Sequence, residues 1–148
     1  MIAIGSDHAA FTLKEEIKRY LDEKGLDYKD YGCFNEERTD YPIYGQMVGK
    51  AVASGECEKG ILLCGTGVGI SLAANKVKGV RAVVCSDCYT AKLSKEHNNT
   101  NILAMGSRVV GVDLAKMILD AWLSANFQGE RHQKRVDMIH QIENNNLK

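Results

Sequence analysis

The sequence predicts an α/β protein in which helices cover both faces of a parallel sheet of about five strands. Short apolar runs alternate with longer stretches whose apolar residues recur at helical spacing, and this alternation is typical of a parallel sheet. Two of the runs, GILLC at 60–64 and VRAVVC at 80–85, are apolar nearly throughout, as expected for strands buried on both faces. The order of the segments predicts three layers, α/β/α.

The predicted elements follow one another in a regular order from the N-terminus. Leu13, Ile17 and Leu21 recur at helical spacing in the first helix, and Gly25 ends it. Pro42 must lie in the first turn of the second helix, where its missing N–H is tolerated. Residues 1–148 contain no repeat and no linker composition, so we expect a single domain. We expect strands at 2–5, 27–31, 60–64, 80–85 and 102–105, and helices at 13–24, 39–54, 67–76, 88–97, 111–125 and 132–145.

Composition and charge disfavour several functional classes. Lysine plus arginine and aspartate plus glutamate both number 19, so no net charge draws the chain to nucleic acid or to a membrane surface. The N-terminal segment is too polar for a signal peptide, and no apolar run is long enough to span a membrane. Five cysteines are an odd number, which suits reduced thiols better than a disulfide framework. We expect a cytoplasmic protein without nucleic-acid or membrane partners.

Ligands of parallel α/β sheets bind beyond the carboxyl ends of the strands, where loops and helix N-termini converge. The residues directly after the predicted strands are SDH at 6–8, CGTGVG at 64–69, CSDC at 85–88 and GSR at 106–108. A further polar run, HNNTN at 97–101, precedes the fifth strand instead. We therefore expect the chemistry at the first four segments, and the position of the fifth stays open.

The glycine-rich loop at 64–69 follows a predicted buried strand and opens a helix. Glycines allow a tight turn and bring backbone N–H groups close to an anion, which a helix N-terminus also favours. The loop lacks the spacing and the later acidic residue of the dinucleotide fingerprint, and no Gly-Lys-Ser/Thr closes it as in a P-loop. It indicates an anion site or, alternatively, a tight turn without a ligand.

Cys64 ends the strand and begins this loop. A thiol that faces several N–H groups and a helix N-terminus is expected to exist partly as the thiolate, which is basic and nucleophilic. The alternative is that Cys64 is a small buried residue that closes a strand, as we expect for Cys33 and Cys85.

Histidines and a pair of arginines add candidate functional groups. His8 follows the first strand, and His97 begins the HNNTN run; a lone histidine is more often structural than functional. Arg131 and Arg135 lie four residues apart on the last helix and share a face with Met138 and Ile142, which predicts guanidiniums that point at protein. Such a pair suits the geometry of a phosphate, although a solvated helix turn remains the alternative.

Taken together, five segments resemble one family. They are SDHAAF at 6–11, ERTDYP at 37–42, GILLCGTGVGISLAANK at 60–76, HNNTNILAMGSRVVG at 97–111 and RHQKRV at 131–136. These segments are similar to the ribose-5-phosphate isomerase B family, which includes galactose-6-phosphate isomerase. The similarity runs from residue 1 to about residue 143 and is far more specific than any single pattern.

The resemblance implies a fold, an activity and an assembly. It implies a three-layer α/β/α Rossmann-type fold with a five-stranded parallel sheet. It implies an aldose–ketose isomerase that interconverts D-ribose 5-phosphate and D-ribulose 5-phosphate through an enediolate, without metal or cofactor. It also implies a homodimer or a dimer of dimers whose active sites lie at the subunit interface.

The resemblance also assigns residues by position. Cys64 matches the base, His97 the acid that opens the sugar ring, and Thr66 the residue that assists ring opening. One branch of the family carries a glutamate base where Ile70 stands here, so this chain resembles the cysteine-using branch. The positions that match substrate and phosphate contacts are Asp7, His8, Tyr41, Gly65, Gly67, Val68, Gly69, Asn98, Arg108, Arg131 and Arg135.

Other functions remain open at this stage. The substrate could be a six-carbon sugar phosphate, allose or galactose 6-phosphate. The Cys85-Ser-Asp-Cys88 motif could serve a thiol redox protein. A zinc site is disfavoured because this C-x-x-C has no second half. A module that binds a sugar phosphate or nucleotide without turning it over would follow if Cys64 were inert.

Overall fold

A computed structural model describes residues 1–145 and contains a five-stranded, fully parallel sheet with helices on both faces. The strand order is β2-β1-β3-β5-β4, which confirms the predicted fold class. The strands are β1 (Ile2–Ser6), β2 (Tyr28–Asp30), β3 (Lys59–Cys64), β4 (Ala82–Val84) and β5 (Ile102–Gly106). The helices are α1 (Phe11–Glu23), α2 (Tyr41–Ala53), α3 (Val68–Ala74), α4 (Cys88–Asn98), α5 (Val112–Ser124) and α6 (Arg131–Glu143), and a 3-10 turn at His8–Ala10 precedes α1.

Two apolar cores fill the space between the sheet and its helices. Along the central strand β3, successive side chains point to opposite faces. Ile61 and Leu63 belong to the core formed with α1, α4 and α5, which is centred on Trp122. Leu62 and Cys64 belong to the core formed with α2 and α3. The thiol of Cys64 therefore lies at the top of the second core.

The predicted elements are all present, with small differences at their ends. Pro42 lies in the first turn of α2, as its position in the sequence requires. The helix α3 is shorter than expected, since it ends at Ala74. The amide of Asn75 accounts for this end, because its Oδ1 accepts from Ala82 N–H at 2.8 Å and its Nδ2 donates to the Ala82 carbonyl at 2.9 Å.

One burial prediction is wrong. The run at 80–85 was expected to form a strand buried on both faces, but β4 is an edge strand that pairs only with β5 within residues 1–145. Ala82 and Val83 are half-buried and Val84 is 37% exposed. The apolar composition of the run reports a preference for burial, but it does not determine which strand occupies the sheet edge.

The last helix, α6, packs against the rest of the chain near the end of α4. His132 and Val136 are its buried residues. The Glu143 carboxylate accepts a hydrogen bond from Gly79 N–H, with its two oxygens at 3.0 and 3.1 Å. The opposite face of α6 is exposed and includes Ile139 and Ile142. Among the helices of residues 1–145, none is both long enough and apolar enough to span a bilayer.

Candidate active site

Asp7 and Cys64 lie side by side at the carboxyl edge of the sheet. β1 pairs with β3 so that Ser6 lies beside Leu63, and Asp7 N–H donates to the Leu63 carbonyl at 3.3 Å. The carboxylate of Asp7 is 7% exposed, and its buried Oδ1 has no hydrogen-bond partner in the part of the chain that the structure describes. A buried acceptor without a partner is costly, so this oxygen is available to a hydroxyl of a bound molecule.

The loop after β3 wraps around the sulfur of Cys64. Gly67 N–H donates to Cys64 Sγ at 3.1 Å. Gly67 has φ of 82°, and a Cβ on it would lie 2.8 Å from the carbonyl carbon of Met105. Only glycine satisfies both conditions. Thr66 is exposed, and its Oγ1 accepts from Val68 N–H at 3.2 Å.

Two side chains pack directly on the glycines of this loop. A Cβ on Gly69 would lie 2.6 Å from the ring of Tyr41, and a Cβ on Gly65 would lie 3.4 Å from Nη1 of Arg108. Arg108 N–H also donates to the Gly65 carbonyl at 3.0 Å. The glycines thus allow an aromatic ring and a guanidinium to approach the loop closely.

His8, which follows β1, is held by a backbone segment from before α2. Its Nδ1 lies 3.1 Å from both the N–H and the carbonyl oxygen of Thr39. The ring can accept from the first group or donate to the second, so it is held in either protonation state. We call the residues at this edge the carboxyl-edge half-site: Asp7, His8, Tyr41, the loop from Cys64 to Gly69, and Arg108.

His97 and Asn98 lie at the opposite edge of the sheet. α4 starts beyond the carboxyl end of β4 and returns the chain to the amino ends of the strands. There Gly60 N–H donates to the Asn101 carbonyl at 2.9 Å. Gly60 and Cys64 are four positions apart on β3, which corresponds to roughly 13 Å along a strand. Within one chain, the structure therefore does not bring His97 to Cys64.

The end of α4 and the start of α6 form a second cluster. The imidazole rings of His97 and His132 stack with centroids 4.3 Å apart and planes 10° from parallel. Arg131 and Arg135 flank His132 on α6. We call this cluster the helix-end half-site: His97, Asn98, Arg131 and Arg135.

The predicted orientation of the two arginines is wrong within this chain. Arg131 and Arg135 are both exposed, and so are Met138 and Ile142, at 39% and 58%. The pair His132 and Val136 has the same four-residue spacing and occupies the buried face instead. A spacing of four defines a helix face but does not determine which face packs inward.

Several residues that shape this cluster were not identified from the sequence. Asn99 ends α4 with φ of 48°, and its carbonyl accepts from Arg81 Nε at 2.7 Å. Asn101 Oδ1 accepts from Arg81 N–H at 2.7 Å, and its Nδ2 donates to the Gly79 carbonyl at 2.9 Å. The asparagines after His97 were a usable signal, because asparagine often ends helices in the left-handed conformation.

The remaining cysteines differ from Cys64 in their surroundings. All five cysteines are free, and Cys33 and Cys85 are buried as expected, at 5% and 2% exposed. Burial, together with the charge of Asp87, raises the pKa of the Cys85 thiol to about 11. A thiol that stays protonated near neutral pH is a poor nucleophile, which disfavours a redox role for Cys85 and Cys88. Across residues 1–145, the structure contains no group of three or more His, Cys, Asp or Glu side chains that could hold a metal ion.

Comparisons with known proteins cover nearly the whole chain. A family profile described as Ribose/Galactose Isomerase matches residues 2–139. The chain is 60% identical over 142 residues to ribose-5-phosphate isomerase B of Escherichia coli (strain K12), which covers 96% of this chain and 95% of that one. The solved structure of Clostridium thermocellum ribose-5-phosphate isomerase B superposes with a TM-score of 0.96 at 54% identity, covering 97% of both chains. The structure of Mycoplasma genitalium ribose-5-phosphate isomerase B with bound ribulose-5-phosphate superposes with a TM-score of 0.92 at 41% identity, covering 97% of this chain and 95% of that one.

Proposed function

The chain belongs to the ribose/galactose isomerase family, and from that membership we propose that it interconverts D-ribose 5-phosphate and D-ribulose 5-phosphate. The identity to a ribose-5-phosphate isomerase B supports the five-carbon substrate. Within the chain, the observation that carries the proposal is the N–H of Gly67 directed at the sulfur of Cys64. An isomerase of this type needs a base at the carbon next to the carbonyl, and a hydrogen-bonded thiolate meets that need.

Isomerisation moves one proton between neighbouring carbons. The Cys64 thiolate removes the proton from C2 of the open-chain aldose, and the electron pair forms the C1–C2 double bond of an enediolate. The thiol then returns a proton to C1 and is restored as the thiolate. In the same conversion the proton of the C2 hydroxyl passes to the C1 oxygen, so the C2 oxygen becomes the ketone and the C1 oxygen a hydroxyl. Backbone N–H groups of Gly65 to Gly69 stabilise the oxygen that becomes negative, and losing one such donor typically costs about 3–4 kcal/mol of barrier.

The aldose must first be opened, because D-ribose 5-phosphate rests mostly as a furanose ring. His97 gives a proton to the ring oxygen, the bond between this oxygen and C1 breaks, and the neutral imidazole accepts the proton of the anomeric hydroxyl. Histidine suits both transfers because it gains and loses protons near neutral pH. Thr66 is exposed at the loop and supplies a hydroxyl that binds the anomeric oxygen.

The phosphate does not react, so its binding energy can hold the open chain in reactive geometry. Arg131 and Arg135 are the main phosphate ligands in this proposal, because two exposed guanidiniums four residues apart can both bind one phosphate. His8 and Arg108 contribute from the carboxyl edge, and Asp7 Oδ1 binds a sugar hydroxyl.

The two half-sites lie on opposite edges of one chain, so we infer that a homodimer, or a dimer of dimers, forms each complete site from two chains. Exposed apolar side chains are available for such an interface. Val68 and Leu72 of α3 are 48% and 59% exposed, next to Val84 of the edge strand, and Ile139 and Ile142 of α6 are 45% and 58% exposed. Exposed apolar side chains of this kind are typical of subunit contacts.

A complementation experiment tests both the function and the shared site. Cys64→Ala and His97→Asn are each expected to abolish turnover of ribose 5-phosphate. When the two inactive proteins are unfolded and refolded together, half of the dimers combine one chain of each kind, and one of their two sites receives both native residues. About a quarter of the parent activity should therefore return.

The outcomes separate the possibilities. A mixture that stays as inactive as its components would show that each site is built within one chain. A parent protein that does not turn over ribose 5-phosphate would overturn the proposed substrate, and allose and galactose 6-phosphates would be measured next. A parent that binds these sugar phosphates without turning over any of them would indicate a binding module.

A further inference from the structure

His132, in the first turn of α6, is a buried histidine to which none of the steps above assigns a task. It is 6% exposed, and its Nε2 has no hydrogen-bond partner among residues 1–145. A buried ring nitrogen without a partner costs stability. An apolar residue would fill this position at a lower cost in stability, so packing alone does not explain why an imidazole is present.

The ring of His132 lies flat against the ring of His97. The centroids are 4.3 Å apart and the planes are 10° from parallel. The His132 ring therefore covers one face of the His97 imidazole and restricts rotation of that imidazole about its Cβ–Cγ bond. The contact is anchored nearby, because Gln128 N–H donates to the Glu96 carbonyl at 2.9 Å and Gln128 Nε2 donates to Glu96 Oε2 at 3.2 Å. The segment that leads into α6 is thus attached to the residue before His97.

The surroundings of His132 disfavour its charged form. Burial lowers the pKa of His132 below the usual value, and the nearby charges of His97, Arg131 and Arg135 lower it further, while only Glu130 acts in the opposite sense. Two stacked imidazoles also cannot both carry a proton without repulsion. A neutral His132 therefore avoids this repulsion during the steps in which His97 carries a proton.

We propose that His132 is a positioning residue for ring opening: its neutral ring, stacked on His97, fixes the plane of the His97 imidazole. This inference rests on the proposed role of His97 as the acid. His132 itself transfers no proton and contacts no reacting atom. Its effect should therefore be confined to the step that His97 performs.

Two rates separate ring opening from proton transfer at carbon. Conversion of ribose 5-phosphate requires an open ring. Ribulose 5-phosphate cannot close a furanose ring, because the oxygen that would close it carries the phosphate. Exchange of its C1 hydrogen with D2O, followed by NMR, therefore measures formation of the enediolate by Cys64 without ring opening.

The variants are His132→Ala, which removes the ring, and His132→Phe, which keeps a flat ring but no nitrogen. Lys134→Ala, on the exposed side of the same helix, is the matched control. His132→Ala should lower turnover of ribose 5-phosphate on the order of 10- to 100-fold, as misplaced catalytic groups do, while C1 exchange stays within about twofold. His132→Phe should lose less than about fivefold because the stacking surface remains. Lys134→Ala should match the parent in both rates.

Equal losses in both rates would show that His132 is merely structural, and unchanged turnover in His132→Ala would show that it is dispensable; either result overturns the inference. A parent protein without either rate would instead overturn the proposed function, and with it the role of His132. A pH titration of the parent by NMR provides a second test that needs no turnover. As the pH is lowered, His132 should stay neutral below the usual pKa of a histidine, and protonation at or above that value would contradict the proposal.

Discussion

The two half-sites are built in different ways. The carboxyl-edge half-site is formed mainly by backbone, with Gly67 N–H on Cys64 Sγ at 3.1 Å and with Tyr41 so close to Gly69 that a Cβ there would clash at 2.6 Å. The helix-end half-site is formed by side chains on two helix ends, with the stacked His97 and His132 beside exposed arginines. The sheet therefore determines the position of one half, and the meeting of two helix ends determines the position of the other.

The half-sites also divide the proposed chemistry. Proton transfer at carbon needs a base in a fixed position and fixed N–H donors, which a strand end and a tight loop supply. Ring opening and phosphate binding need mobile protons and positive charge, which the half-buried His97 and the exposed Arg131 and Arg135 supply. Substitutions in the two halves should therefore produce different kinetic signatures.

The largest effect is expected at the carboxyl edge. Cys64→Ala removes the base and should lower both ribose 5-phosphate turnover and C1 exchange of ribulose 5-phosphate by about 10³-fold or more. Cys88→Ser is the matched control, because Cys88 is a half-buried thiol at the start of α4 that the proposed mechanism does not use. C1 exchange that survives in folded Cys64→Ala would assign the base to another residue.

A smaller and different effect is expected at the helix ends. Arg135→Ala removes one of two guanidiniums for the phosphate and should raise KM on the order of 10-fold or more, with a weaker effect on kcat. Inhibition by inorganic phosphate should weaken in parallel, which can be measured with the same assay. If Arg135→Ala left KM and phosphate inhibition at the parent values, the phosphate would have to be bound elsewhere.

Substitution of the buried Lys14, which pairs with Asp30, should have the smallest effect on catalysis but a large effect on stability. Lys14 is fully buried and its Nζ lies 2.7 and 2.6 Å from the two oxygens of Asp30, which also accepts from Gly32 N–H at 2.8 Å. Although burial alone would raise the pKa of Asp30, hydrogen bonds from Lys14, Gly32 and Lys18 hold it below the usual value. Lys14→Met should therefore lower the free energy of unfolding by about 3 kcal/mol, because it leaves a partly buried carboxylate with fewer partners.

Urea unfolding measures this change, and two further variants control it. Lys29→Met removes an exposed ion pair with Glu56, whose side chains are 54% and 53% exposed, and should cost less than about 0.5 kcal/mol. Adding Asp30→Asn to Lys14→Met should recover part of the loss, since no charge then remains unpaired. Equal stability of Lys14→Met and Lys29→Met would show that the buried pair contributes no more than an exposed one.

Much of the fold was available from local patterns. The apolar periodicity of α5 predicted a helix at 111–125, and the structure has Val112–Ser124. The carboxyl-edge half-site could also be predicted from the sequence. A strand, a glycine loop and a helix in succession place Cys64 at the ligand edge of the sheet, regardless of which strands lie beside β3. His132, by contrast, has no motif of its own and was recognised only through its stacking on His97.

Local patterns were enough to predict the alternation of strands and helices, the position of Cys64 at a strand end and the family. These features depend on periods of two and 3.6 residues and on short motifs, which are properties of neighbouring positions. The packing of the folded chain was needed to show that β4 is an edge strand, that His97 lies at the amino edge, and that His132 rather than Arg131 packs inward. Burial depends on which surfaces meet across the fold, and local periodicity carries no information about distant partners.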